Sequence, residues 1–116
     1  MLLVAINVHY HRHREVIEAK DRAELERLAE GRLIAAALVL HASRHEGRWP
    51  ASLEELRPGI LGDAVDLAKW NYQQPSWLWT PYVAHRVIAG ETNADTDGRI
   101  VFIYSGGTAA LQRLGD

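Results

Sequence analysis

The stretch Leu40-His-Ala-Ser-Arg-His-Glu-Gly-Arg-Trp-Pro-Ala-Ser-Leu-Glu-Glu-Leu56 ends one helix and begins another. Gly47 suits the left-handed conformation that closes a helix C-terminus. Pro50 has no amide hydrogen and cannot extend the helix that precedes it. Ser52 and Glu55 have the S-x-x-E spacing of a capping box, which satisfies two orphaned amides at a helix start. Leu53 and Leu56 then face back onto the first helix.

Upstream of this break, Glu15 to Glu46 form the strongest helical run. Leu25, Leu28, Ala29, Leu33, Ala36, Ala37 and Leu40 recur near i, i+3, i+4 spacing, which predicts one apolar stripe. Leu33 to Leu40 is apolar nearly all round and is expected to be the buried half. Gly31 costs roughly 1 kcal/mol against alanine inside a helix and marks a bend or a close contact. Residues 1–14 are ambiguous. Met1 to Val8 is apolar but shorter than the ~20 residues of a membrane span. His9-Tyr-His-Arg-His-Arg14 follows, not a small-residue cleavage site, so a secretory signal is not indicated. A strand, a helix end and the stump of a longer membrane segment are the three readings.

Downstream, a short helix is expected over Ser52 to Arg57, before Pro58-Gly59. Residues 60–74 read as irregular, with one more turn around Ala64 to Lys69. Trp77 to Ile88, β-branched and aromatic with Pro81 inside it, reads as an edge or bulged strand. Gly90 to Gly98 is a polar turn, and Arg99 to Ser105 a buried strand. Gly106-Gly107 reads as a two-residue hairpin turn, and Thr108 to Leu114 as the returning strand. The expected fold is one α+β domain over residues 1–116, a long helix packed on a small antiparallel sheet of about three strands.

Composition narrows the function classes. The chain has 116 residues, 13 basic and 15 acidic, for a formal net charge of −2. That balance leaves no basic excess to neutralise phosphates and argues against a nucleic-acid partner. There is no cysteine, which excludes disulfides, thiolate metal sites and a cysteine nucleophile. Ser43, Ser52, Ser76 and Ser105 stand in no elbow or triad pattern, and no enzyme is indicated.

The long helix ending in Gly47, Trp49, Pro50, Ser52, Leu53, Glu55 and Leu56, followed by a loop and a small sheet, resembles the globular part of bacterial type IV pilin-like proteins. The likeness is greatest to the major pseudopilins of type II secretion. The C-terminal hairpin Ile100-Val-Phe-Ile-Tyr-Ser-Gly-Gly-Thr-Ala-Ala-Leu111 is similar to the strand–turn ending of many pilin-like proteins, with Gly106-Gly107-Thr108 at the turn. The resemblance implies a non-enzymatic structural subunit of an extracellular filament or secretion apparatus. It also implies homotypic or pilin-like partners, an extracytoplasmic place in the cell envelope, and membrane attachment through a segment upstream of Met1. Such pilins carry Glu at the fifth residue of an apolar helix, where this chain has Ala5.

Four clusters are candidate sites. Asn93-Ala-Asp-Thr-Asp-Gly98 puts oxygen ligands at alternate positions before a glycine, like the start of an EF-hand loop, with Glu91 as a further carboxylate. Major pseudopilins resemble this in having a calcium loop near their C-terminal strands. A calcium site at Glu91, Asn93, Asp95 and Asp97 is one reading, and an Asx-rich turn bonding its own backbone is the other. His9, His11 and His13 share a face only on a strand. His41 and His45, at i, i+4, have a spacing that can hold zinc, or simply cap the helix end. Trp77, Trp79 and Tyr82, with Trp70 and Tyr72, form an aromatic group. It is either core or a surface for a carbohydrate or protein ligand, and the second choice makes the chain an envelope binding module.

Overall fold

In the computed structural model the backbone is described for residues 2–57 and 59–113, and the side chains for residues 21–57 and 59–113. Helix α1 runs Leu2–Arg44. Forty-three residues at ~1.5 Å each make about 64 Å, which accounts for the 68 Å long axis of a molecule 32 Å and 23 Å across.

The predicted stripe splits in two. Ile34, Ala35, Ala37, Leu38 and Ala42 are buried against the rest of the domain, with Leu28 packed beside them. Leu25, Leu33 and Leu40 remain 63%, 50% and 38% exposed, with Ala29 and Ala36 exposed between them. Leu33 to Leu40 is therefore not buried all round. A sheet covers one side of a cylinder, and α1 has a sheet on one side only.

The end of α1 is closed as expected in kind but one residue early. The Gly47 amide donates to the Ala42 carbonyl at 2.8 Å, and the left-handed residue inside that loop is Glu46, at φ 59°. Gly47 follows at φ 85°. Its carbonyl accepts from the Trp79 amide at 2.7 Å, and a Cβ on it would lie 2.8 Å from the Trp79 carbonyl oxygen. The next helix is a single 3₁₀ turn, Leu53–Leu56. The capping box is half made: Ser52 caps nothing through its hydroxyl, while Glu55 Oε2 accepts from the Ala51 amide at 3.0 Å. Leu53 and Leu56 are buried in the same core as α1.

The sheet has four strands, β1 Trp70–Tyr72, β2 Val87–Glu91, β3 Arg99–Tyr104 and β4 Ala109–Arg113, in the order β1-β2-β3-β4, each pair antiparallel. This corrects the expectation of about three. β1 was hidden because three residues are too few to show an alternation. The strand expected over Trp77 to Ile88 begins only at Val87. Before it, the backbone bonds elsewhere: Trp79 to Gly47, and Val83, Ala84 and Arg86 to the Ser105–Gly106 corner. That corner is a three-residue loop, not a two-residue turn. The Gly107 amide donates to the Tyr104 carbonyl at 3.0 Å and the Tyr104 amide to the Thr108 carbonyl at 2.9 Å, with Gly107 at φ 88°, the geometry of a turn followed by a left-handed glycine.

Buried Ser105 is the polar centre of this end. Its hydroxyl donates to the Val83 carbonyl at 2.8 Å and accepts from the Arg86 amide at 3.2 Å. On the β1 edge of the sheet, Tyr72 donates to the Pro50 carbonyl at 2.5 Å and, just beyond it, Gln74 to the Trp49 carbonyl at 2.8 Å. The helix-to-helix break is thus held by the strand region that follows it.

α1 lies close against the sheet at Gly31. A Cβ there would lie 2.7 Å from Val101 Cγ1, 3.2 Å from the Trp70 ring and 3.3 Å from Ala109 Cβ. Gly31 is a close contact, which settles the choice left by the sequence. Beside it, Trp70 Nε1 donates to Glu30 Oε1 at 2.8 Å.

Candidate functional site

Arg27 lies four residues before Gly31 and seven before Ile34, so helical periodicity turns it toward the sheet. It meets the β2–β3 connection there. Its Nε and Nη2 donate to the two carboxylate oxygens of Glu91 at 3.1 and 2.7 Å, and its Nη1 to Asp95 Oδ2 at 2.8 Å. Nη2 also reaches the Arg99 carbonyl at 3.3 Å. Glu91 Oε1 accepts in addition from the Val101 amide at 2.9 Å. The bidentate fork with Glu91 is the geometry in which arginine binds carboxylate most strongly. A second guanidinium, Arg99, bonds Glu24 on α1 and lies 3.3 Å from Asp97 Oδ2.

The turn itself is built by Asp95. Its Oδ1 accepts from the amides of Asp97 and Arg99, both at 2.9 Å, and its own amide donates to the Arg99 carbonyl at 2.9 Å. This is the side-chain-to-backbone bonding of an Asx turn. The hydrogen bond from Arg27, with those from the Arg99 and Asp97 amides, holds the Asp95 carboxyl down at about 2. Arg27 itself is held more firmly protonated by the same contacts, first by Glu91.

Of the proposed calcium ligands, Glu91 is turned to Arg27 and the Val101 amide, and Asn93 is exposed. Asp95 and Asp97 do come together, with Glu24 of α1 as the third carboxylate, their ligand oxygens within 4.8 Å of one another. Three carboxylates supply at most six of the 6–8 oxygens that calcium takes, and two guanidiniums already bond them. What the arrangement does chemically is tie two chain segments together by pairing two arginines with four carboxylates, which leaves the cluster acidic. Glu24, Arg27 and Arg99 were not singled out in the sequence. The available signal was a charged residue, Arg27, on the buried side of an apolar helix.

The aromatic candidates separate. Trp77 is partly buried, edge-on to buried Trp49 at 5.5 Å and 80°, with Arg86 4.8 Å over its ring. Trp79 is partly buried against the same core, and Tyr82 is 93% exposed. Trp77 also borders an open groove with Asn71, Gln73, Gln74, Ser76 and Phe102.

His41 and His45 stack, with ring centroids 3.9 Å apart and planes 10° from parallel. His45 Nδ1 lies 2.6 Å from the His41 carbonyl. A carbonyl only accepts, so that nitrogen carries the proton and closes the helix end. Burial pushes the His41 pKa down, and the neighbouring His45 adds to the effect. The backbone at His9, His11 and His13 is helical rather than extended; their side chains lie outside the described residues. Among the described residues no helix is long and apolar enough to cross a membrane.

Compared with known proteins, the chain matches no family model, no curated protein and no solved structure.

Proposed function

We propose that this chain is a non-enzymatic structural and assembly protein, a pilin- or pseudopilin-like subunit of an extracellular filament or secretion apparatus. One observation carries the reading. A single 43-residue helix, α1, runs the length of the molecule, and a four-stranded antiparallel meander packs on its Asp21–Arg44 part. That is the arrangement implied by the resemblance at Gly47, Trp49, Pro50, Ser52, Leu53, Glu55 and Leu56. The charged site fits the same role, because it ties helix to sheet. On this reading, calcium at Glu24, Asp95 and Asp97 would be a structural ion, and the partners are pilin-like subunits in the envelope.

The test is fractionation and cross-linking in the producing cell, with the gene in its native context. The protein is expected in the envelope or sheared-filament fraction, cross-linked to pilin-like subunits. A cytosolic protein that cross-links to none of them refutes the reading. The amide-rich groove beside Trp77 favours the alternative, an envelope module that binds a carbohydrate. Quenching or shift of tryptophan emission by oligosaccharides, abolished by Trp77→Ala, would establish that alternative instead.

A further inference from the structure

The side of α1 that faces away from the sheet carries its own pattern. Leu25, Ala29, Leu33, Ala36 and Leu40 fall within an arc of about 80° on a helix of 3.6 residues per turn. All five are exposed, and the core residues Ile34, Leu38 and Ala42 lie on the opposite side. An exposed apolar stripe on a helix is a surface made to be covered. The geometry points to a second copy of this chain as its occupant, with the two α1 helices antiparallel about a twofold axis between residues 34 and 35.

Two independent features select that partner and that direction. The first is size. About this axis Ala29 faces Leu40 of the other copy, and Leu33 faces Ala36, so the two central leucines land on alanines, while Leu25 lies opposite Arg44. A parallel pair in register would stack leucine on leucine and alanine on alanine, leaving gaps between bulky layers. The second is charge. Glu26 and Arg44 flank the same edge of the stripe. They lie about 13 and 14 Å on opposite sides of the axis at ~1.5 Å per residue. An antiparallel twofold brings each edge against its own copy, so Glu26 meets Arg44 of the partner twice per dimer. Neither makes an ion pair among the described residues. A parallel pair places neither against an opposite charge. This inference does not rest on the pilin-like reading and applies to the packed part of α1 alone.

The test uses the full chain in sedimentation velocity up to about 200 μM, where even a dimer of weak micromolar affinity is populated. A dimer is expected. Leu33→Glu should abolish it. Glu26→Arg should weaken it about tenfold, by placing like charges across both rim contacts, and adding Arg44→Glu should restore it. The chain has no cysteine, so introduced thiols report on the geometry without interference. The pair Glu26→Cys and Arg44→Cys should form a disulfide-linked dimer, and Glu26→Cys alone should not. A monomer throughout overturns the proposal. So does a dimer indifferent to Leu33→Glu, or one that Glu26→Cys alone cross-links, which would be parallel. Circular dichroism of each variant checks that α1 is intact, which is expected because the substituted positions are exposed.

Discussion

Replacing Arg27 with methionine keeps most of the aliphatic stem and removes the guanidinium. Glu91, 10% exposed at its side chain, then loses both its fork bonds, and Asp95, 17% exposed, loses its shortest side-chain partner. Removing one partner of a fully buried pair costs ~3–5 kcal/mol. Arg27 is 24% exposed, so solvent screens part of the loss, and the expected destabilisation is about 2–3 kcal/mol. Urea unfolding followed by tryptophan emission measures it, and the pair Arg27→Met with Glu91→Leu should recover part of it, since the more buried carboxylate is then not left alone, although the Val101 amide loses its acceptor. The pH dependence has a definite sign. Asp95 is held at about 2 against an ordinary value of 3.8, so its contribution is present above the ordinary value and is lost as pH falls through about 2. The gap between wild type and Arg27→Met should therefore narrow from pH 4 down to pH 2. A change below ~0.5 kcal/mol at pH 7, the range of an unremarkable surface substitution, would show that this cross-link is not structural.

Three further substitutions probe the frame. Gly31→Ala gains roughly 1 kcal/mol of helix propensity but drives a methyl to 2.7 Å from Val101 Cγ1; overpacking should win, for a net loss of about 1–2 kcal/mol read as a lower Tm. Glu46→Gly relieves a side chain held at φ 59° and should raise stability by about 0.5–1 kcal/mol, measured by urea midpoint; a loss would mean that the Glu46 side chain carries a contact of its own. Ser105→Ala strips the Val83 carbonyl and the Arg86 amide of their hydroxyl partner and should cost about 1–3 kcal/mol, with faster amide exchange over residues 83–86.

The parts legible in the sequence were those whose causes are local. Gly47 and Pro50 announce the helix stop, Leu53 and Leu56 the returning turn, and the β-branched run through Ile103 the central strand. Distances along the chain hid the rest. Arg27 is 64 residues from Glu91 and 68 from Asp95, so nothing near it signals the pairing. Trp77 to Ile88 has the composition of a strand, yet its backbone groups are claimed by Gly47 and Ser105, and tertiary bonding overrode propensity. Of the metal reading, Asp95 and Asp97 were legible as neighbours; Glu24 arrives from a helix that no loop motif mentions. The exposed half of the apolar stripe was unreadable for another reason: periodicity locates an apolar face without saying what covers it.

Gly31 has a mechanical consequence. One missing side chain makes a notch in α1, into which Val101, Trp70 and Ala109 fit. Its neighbours a turn away are Arg27 and Ala35, neither of which could fill that place: sliding the helix by about 5.4 Å, one turn, would drive a side chain into Val101. The notch therefore acts as a key against axial displacement, with the arginine bonds as rivets on the same seam. A force pulling along α1 would load this seam in shear across its whole length at once, so the sheet should travel with the helix as one body.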